Sequence, residues 1–207
     1  MPLVIDAVCP ASVVDVGCGV GTWSAAFLSR SIEATGVDGA YVRTEDLQIP
    51  ADRFQTIDLD KPPPARSIGS FDLAICMEVA EHLKPANAEG LVAFLTDLAP
   101  NVLFSAAIPG QGGRGHINER WQSYWVSLFT RRKMHCHDII RPAIWSSPGV
   151  RRWYAQNAFL FTREPRADLA ASSLPLDLVH PQIFHNKHRN DRIRRASRRG
   201  TLIDGAG

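Results

Sequence analysis

The stretch SVVDVGCGVGTWSAAFL, from Ser12 to Leu28, decides the fold. Ser12 to Val16 is a β-branched run, Gly17-Cys18-Gly19-Val20-Gly21 is a glycine turn, and Thr22 to Leu28 continues as a helix, so the order is strand, turn, helix. Glycines let a backbone approach a ligand closely, and such a turn presents unpaired N–H groups at a helix start, an arrangement suited to a nucleotide. The spacing Gly17-x-Gly19-x-Gly21, with Asp15 two residues ahead, differs from the G-x-G-x-x-G of dinucleotide folds.

Downstream, the same alternation repeats. Ala34 to Val37 reads as a second strand ending at Asp38, and Phe54 to Ile57 as a third ending at Asp58-Leu59. Phe71 to Cys76 is a nearly continuous apolar strand, suited to the middle of a parallel sheet covered on both faces. Pro85 to Ala99 carries Leu91, Phe94, Leu95 and Leu98 at helical spacing, and Pro100-Asn101 stops it before the strand Val102 to Ala106. Strands alternating with helices predict one α/β domain: a doubly wound, mostly parallel, seven-stranded Rossmann-like sheet whose ligands bind beyond the strands' carboxyl ends. Ile139-Ile140 and Ala158 to Phe161 read as closing strands, with Val150 to Tyr154 helical between them. The domain is expected over 1–163, an extended C-terminal wrap over 164–184, and a basic, flexible tail over 185–207.

The length of 207 residues leaves no room for two large domains. The net charge of +2 conceals a division, because seven basic residues and one acid lie between His185 and Arg199, leaving 16 basic against 20 acidic residues elsewhere. The result is a mildly acidic body with a basic tail, whose sharper reading is attraction of an anionic partner such as RNA or a phosphorylated carbohydrate. Cys9, Cys18, Cys76 and Cys136 lie far apart with no C-x-x-C pair, which excludes a disulfide framework and a zinc ribbon. The start MPLVIDAVCP has no basic n-region and no apolar run is long enough to span a bilayer, so a cytoplasmic protein without a membrane partner is expected. Nothing in the sequence bears on oligomeric state.

Glu78-x-x-Glu81-His82 begins at the end of the fourth strand. On a helical turn, positions i, i+3 and i+4 share one face, so Glu78, Glu81 and His82 can converge as metal ligands, with His116 from the following glycine-rich loop as a fourth. Two carboxylates with imidazole suit Mg²⁺ or Mn²⁺ with waters, or Zn²⁺ or Fe²⁺. Without a metal, His116 or His82 becomes the candidate catalytic base, and both readings place the reaction at oxygen. His135-Cys136-His137 is a weaker metal tract, since alternation along a strand turns Cys136 away from both histidines.

Asp15-Val16-Gly17-Cys18-Gly19-Val20-Gly21 resembles the first motif of class I S-adenosylmethionine-dependent methyltransferases. The resemblance implies S-adenosylmethionine as cofactor, with Asp15 toward the methionine end, Asp38 on the ribose hydroxyls and Asp58 facing the adenine amine. It carries Gly17, Gly19, Gly21, Leu59 and Glu78 with them as cofactor-binding residues. A carboxylate at Asp38 suits a free ribose and would repel a 2′-phosphate. E-x-x-E-H followed by a later histidine resembles the metal site of small-RNA 2′-O-methyltransferases and the motif of ubiquinone-pathway O-methyltransferases. Ile108 to Trp121, Asp138 to Trp145 and Trp153 to Asn157 resemble a bacterial group of small methyltransferase-domain proteins.

The expected activity is O-methylation of a hydroxyl on a small or saccharide-like acceptor. The alternatives are RNA 2′-O-methylation and an idle methyltransferase fold serving as a binding subunit. Only about ten residues precede the first strand, too few for an N-terminal cap, so pocket walls are expected from Gly110 to Trp145. There Asn118, Gln122 and Arg141 would bind hydroxyls, and Trp121, Tyr124 or Trp125 would stack on the acceptor.

Overall fold

The computed structural model describes residues 1–169 and 174–185. Its sheet has seven strands among these residues, in the order β3-β2-β1-β4-β5-β7-β6. They are β1 (Ser12–Val16), β2 (Glu33–Asp38), β3 (Phe54–Thr56), β4 (Leu73–Met77), β5 (Asn101–Ser105), β6 (His135–His137) and β7 (Phe159–Thr162). Neighbouring strands from β3 through β5 pair in parallel, whereas β7 runs antiparallel to both β5 and β6. Helices among the described residues include α1 (Pro2–Val8), α2 (Thr22–Leu28), α3 (Ala88–Leu98), α4 (Gln122–Arg131), α5 (Ile140–Ile144) and α6 (Arg152–Asn157).

The central strands are buried on both faces, and their side chains divide by alternation. Val14, Val16, Ala74, Cys76, Val102 and Phe104 join α3 and α4 in one core cluster, while Val13, Leu73, Ile75 and Leu103 join Val4, Phe27 and Ile140 in the other. The aromatic residues of α4 complete the first cluster: Phe129 stacks on Phe161 with ring centroids 3.9 Å apart, and Trp125 lies 5.1 Å from Phe104. Winding proceeds outward from β1 in one direction through β2 and β3, and in the other through β4 and β5. The switch point, where a ligand crevice opens, therefore lies at the carboxyl ends of β1 and β4, occupied by Gly17 and Glu78.

Three expectations of local structure are corrected. Ile139-Ile140 is not a strand: Ile140 starts α5, and the edge strand comes earlier, at His135–His137. Val150 is not helical, and α6 instead runs from Arg152 to Asn157. The stretch Glu119 to Phe129, whose Trp121, Tyr124, Trp125 and Phe129 read as an aromatic amphipathic helix, is helical only from Gln122, and Glu119 instead accepts hydrogen bonds from Gly110 and Gly112 in the preceding loop. In β6, Cys136 packs against the α3–α4 core while His137 Nε2 lies 2.9 Å from Thr162 Oγ1.

Residues 174–180 cross α4, α5 and α6 through specific polar contacts. Gln122 donates to the Leu178 carbonyl, Asp177 accepts from Ser123, and the His180 N–H donates to Gln156 Oε1 at 2.8 Å. The basic run after His185 lies outside the described residues. No helix among the described residues is long and apolar enough to cross a membrane.

Candidate active site

The crevice at the switch point is a cavity of about 680 Å³ whose lining includes Gly17, Gly19, Asp38, Asp58, Leu59 and Glu78. This volume lies within the range of small-molecule and cofactor pockets. The turn is built for close approach: Gly17 has φ +78°, and a Cβ there would lie 2.4 Å from Val79 Cγ2. A side chain at this position would have to displace Val79, which lines the cavity.

Two of the expected cofactor residues stand behind this surface. Gly21 starts α2 in the left-handed region. Asp15 is buried, and its Oδ2 accepts the Ser24 hydroxyl at 3.0 Å and the Ser24 N–H at 3.3 Å, which secures the first turn of α2. Burial pushes the Asp15 carboxyl up to about 7, against the opposing pull of the Ser24 hydrogen bonds. Its folded pKa thus exceeds its unfolded value near 3.8, so the folded chain holds the extra proton between these limits and stability falls as pH rises through them. Asp15→Asn keeps an acceptor for Ser24 without the charge. Its melting temperature is expected to rise relative to the parent chain between about pH 4 and pH 7, and a constant difference across that range would contradict this.

Asp38, at the end of β2, uses both carboxylate oxygens. Oδ2 accepts the Gly19 N–H at 2.7 Å, Oδ1 accepts the Gly39 N–H at 2.7 Å, and the Tyr41 hydroxyl also donates to Oδ1. The carboxylate therefore shapes the glycine turn as well as presenting acceptors to the cavity. Tyr41 lines the cavity and is mostly exposed, so its hydroxyl can leave Oδ1 at little cost in buried area. Asp58 Oδ1 accepts the Asp60 N–H at 2.9 Å, and Asp60 Oδ1 takes Asn87 Nδ2 at 2.6 Å, tying the β3 end to the turn before α3.

The E-x-x-E-H run does not form one helical face. Glu78 adopts φ +58° and the short turn begins only at Ala80, so Glu78 is not on one helical face with Glu81 and His82 and stays outside their ligand group, although its charge is still felt by Glu81. Glu78 Oε2 accepts from Gln111 Nε2 at 2.9 Å and Oε1 from Asn157 Nδ2 at 3.2 Å, and Gln156 extends the network to Gln111 and Asn157. Burial raises the Glu78 carboxyl above its ordinary range, with these donors opposing the shift.

Glu81, His82 and His116 do converge, with one ligand atom of each lying within 4.8 Å of the others. The two imidazoles are 4.9 Å apart and nearly perpendicular. Glu81 is fully buried, and neither carboxylate oxygen has a hydrogen-bond partner among the described residues. Burial and then the charge of Glu78 push its carboxyl up to about 8. Burial and then the neighbouring His116 lower the pKa of His82, whose Nδ1 lies 3.3 Å from the Gly115 carbonyl. A buried acid with unmet oxygens beside two imidazoles is the donor chemistry of a divalent cation of borderline hardness. The residues present therefore fit such an ion, with Glu78 outside the group. The backbone supports the convergence: the Ile117 and Asn118 N–H groups donate to the Glu81 carbonyl at 2.8 and 3.0 Å.

The side chains expected to face an acceptor are mostly structural. Arg141 is fully buried against Asp138, Asn118 is buried and donates to the Ala80 carbonyl, and Gln122 serves the Gln156 and Leu178 carbonyls. Trp125 belongs to the core, whereas Trp121 remains partly exposed. Reading by residue type missed Gln111, Glu119, Tyr41, Gln156 and Asn157 as partners of site residues. Of these, Gln111 and Glu119 bracket the glycine-rich loop, a position that could have marked them. Burial opposes ionisation of Glu119, yet donors from His116, Gly110 and Gly112 together hold its carboxyl below the ordinary range. His135, Cys136 and His137 form no metal-ligand group among the described residues.

This strand order, with a glycine turn after β1 and acids at successive strand ends, defines a class I S-adenosylmethionine-dependent methyltransferase fold. A family model described as "Methyltransferase domain" matches residues 7–141, so the chain belongs to that family. The fold is shared with magnesium protoporphyrin IX methyltransferase (ChlM) from Synechocystis PCC 6803, solved with bound SAH: 20% identity, 78% of each chain covered, TM-score 0.58. It is also shared with the methyltransferase domain of bacterial CtHen1-C, at 19% identity over 77% of this chain and 93% of that one, TM-score 0.56. The chain is 31% identical over 112 residues to a ubiquinone biosynthesis O-methyltransferase of Albidiferax ferrireducens, covering 49% of this chain. It spans 44% of that relative's length.

Proposed function

We propose that the chain methylates a hydroxyl of a small or saccharide-like acceptor, using Glu81, His82 and His116 to hold a divalent cation at the acceptor oxygen. The observation that carries this reading is the position of that group: His82 lines the same cavity as Asp38 and Asp58, so acceptor and cofactor chemistry share one crevice. The name of the ubiquinone biosynthesis O-methyltransferase supports transfer to oxygen. In this reading Asp38 takes the ribose hydroxyls as Tyr41 withdraws, and Asp58 and Leu59 border the adenine. The glycine turn admits the methionine end beside Glu78.

The bound cofactor supplies an electrophilic sulfonium methyl. A divalent cation held by these residues would lower the acceptor hydroxyl's pKa. The residues orient the acceptor oxygen in line with the methyl carbon; with a cation held the hydroxyl proton passes to water, and without one a neutral imidazole of His82 or His116, its lone pair then free, takes it. The oxygen–methyl bond forms as the carbon–sulfur bond breaks, and the bonding pair stays on sulfur.

A screen of hydroxylated acceptors with labelled cofactor tests the reading. Transfer to a hydroxyl that is lost on chelation and restored by Mg²⁺, Mn²⁺, Zn²⁺ or Fe²⁺ is expected. Transfer indifferent to chelation would remove the cation and leave the imidazoles as base, while transfer to amines alone would overturn O-methylation. RNA with a free 2′-hydroxyl belongs in the screen as the alternative acceptor. Asp38→Ala is expected to weaken cofactor binding by calorimetry about 10- to 100-fold, the value of one hydrogen bond to a charged group, and unchanged affinity would exclude Asp38 from the ribose.

A further inference from the structure

Glu119 was assigned no part by its residue type, yet its carboxylate is the hub of the glycine-rich loop. Oε2 accepts the Gly110 N–H at 2.6 Å, while Oε1 accepts the Gly112 N–H at 2.7 Å and lies 3.0 Å from His116 Nδ1. We infer that Glu119 is the positioning residue of this site, clamping loop 110–116 and fixing His116 in the tautomer that carries its proton on Nδ1 and its lone pair on Nε2. The inference rests on the reading in which His116 holds a cation or takes the acceptor's proton.

The argument follows from what each group can donate. An ionised carboxylate only accepts, so a hydrogen bond at 3.0 Å requires the proton to be on Nδ1. The neutral ring is then left with its lone pair on Nε2, the nitrogen available to a cation or a hydroxyl proton. Free imidazole side chains have no such constraint, so the loop selects the tautomer.

The loop is shaped around this ring. Gly110 and Gly112 have φ of +80° and +75°, which turns their N–H groups toward Glu119. A Cβ on Gly113 would lie 2.1 Å from His116 Nε2, so the ring edge occupies space that any side chain there would fill. Both sides of the imidazole are thus set, one by a carboxylate and the other by a missing side chain.

Glutamine cannot replace this carboxylate. Its amide oxygen can accept, but its NH₂ would meet either a glycine N–H or Nδ1 as a donor, which leaves one loop N–H unmet or favours the lone pair on Nδ1. The test uses the full chain labelled with ¹⁵N-histidine, at a pH where the ring is neutral. His116 is assigned by comparison with His116→Gln. The parent chain is expected to show His116 protonated on Nδ1, and Glu119→Ala, which leaves no acceptor there, to move it toward protonation on Nε2. On the acceptor found by screening, Glu119→Gln should lower kcat about 10- to 100-fold while the cofactor KM stays within twofold, the usual cost of losing a ligand's outer partner.

In a double-mutant cycle, Glu119→Gln should add less than twofold to the loss already caused by His116→Ala, because it acts through that ring. Protonation on Nε2 in the parent chain, or an unchanged spectrum in Glu119→Ala, would overturn the inference. So would losses that multiply independently in the cycle. A spectrum as expected, with methyl transfer indifferent to His116→Ala, would sustain Glu119's hold on the ring and overturn the cation-or-base reading instead.

Discussion

His116→Ala is expected to lower kcat for methyl transfer about 10²- to 10⁴-fold, the range attributed to a positioned proton acceptor or cation ligand. His116 sits in the ligand group with Glu81 and His82 but not on the wall of the cofactor cavity, which His82 does line. The cofactor dissociation constant should therefore stay within twofold in His116→Ala and change more in His82→Ala. Measuring both variants with labelled cofactor separates the two histidines. Unaltered kcat in His116→Ala would remove it from the chemistry, and equal effects of both variants on cofactor binding would contradict the placement. His116→Gln guards against loss of the loop, because its amide can still donate to Glu119.

The second large effect concerns stability. Arg141 is fully buried, with Nε 2.8 Å from Asp138 Oδ1 and Nη2 2.6 Å from Oδ2, and it also donates to the carbonyls of Leu176 and Pro175 at 2.8 Å. Its guanidinium lies 4.2 Å from the Phe159 ring centroid. Arg141→Met fills similar volume but removes the cation from a buried carboxylate and two donors from the Leu176 and Pro175 carbonyls. Breaking one partner of a buried pair costs about 3–5 kcal/mol, which for a chain of this length corresponds to a fall of roughly 10 °C in melting temperature. Residues 174–180 should become sensitive to limited proteolysis at the same time. The double replacement Asp138→Leu with Arg141→Met should recover much of the loss, since an apolar pair avoids the desolvation of both charges. A drop under 2 °C in the single variant, or no recovery in the double, would contradict this account.

The contrast between Arg141 and Asp38 shows how much of the site residue types alone could convey. Asp38 was readable because a glycine turn and a strand end are local: a few residues determine where the chain turns and which side chain stands at the exit. Arg141, Gln122 and Asn118 were read as pocket groups because polar side chains in a loop-rich stretch suggest a ligand, yet their partners are carbonyls up to 56 residues away in sequence. Glu78 illustrates a different failure. The i, i+3, i+4 rule assumes helical dihedrals throughout, and a single residue at φ +58° redirects the carboxylate into the Gln111–Asn157 network.

What the sequence determined by itself was the strand–turn–helix unit at Ser12 to Leu28, the repeating alternation after it, and hence a crevice with acids at its edge, the proposed place of the cofactor. These follow from short-range rules, namely backbone freedom at glycine and the periodicity of buried side chains. Only the tertiary structure decided which of four candidate ligands meet, that the Glu119 carboxylate lies against His116, and that Arg141 belongs to the core. Each of those outcomes depends on the direction in which a side chain leaves its backbone and on partners brought near by the sheet. Neither quantity is encoded in residue type or spacing.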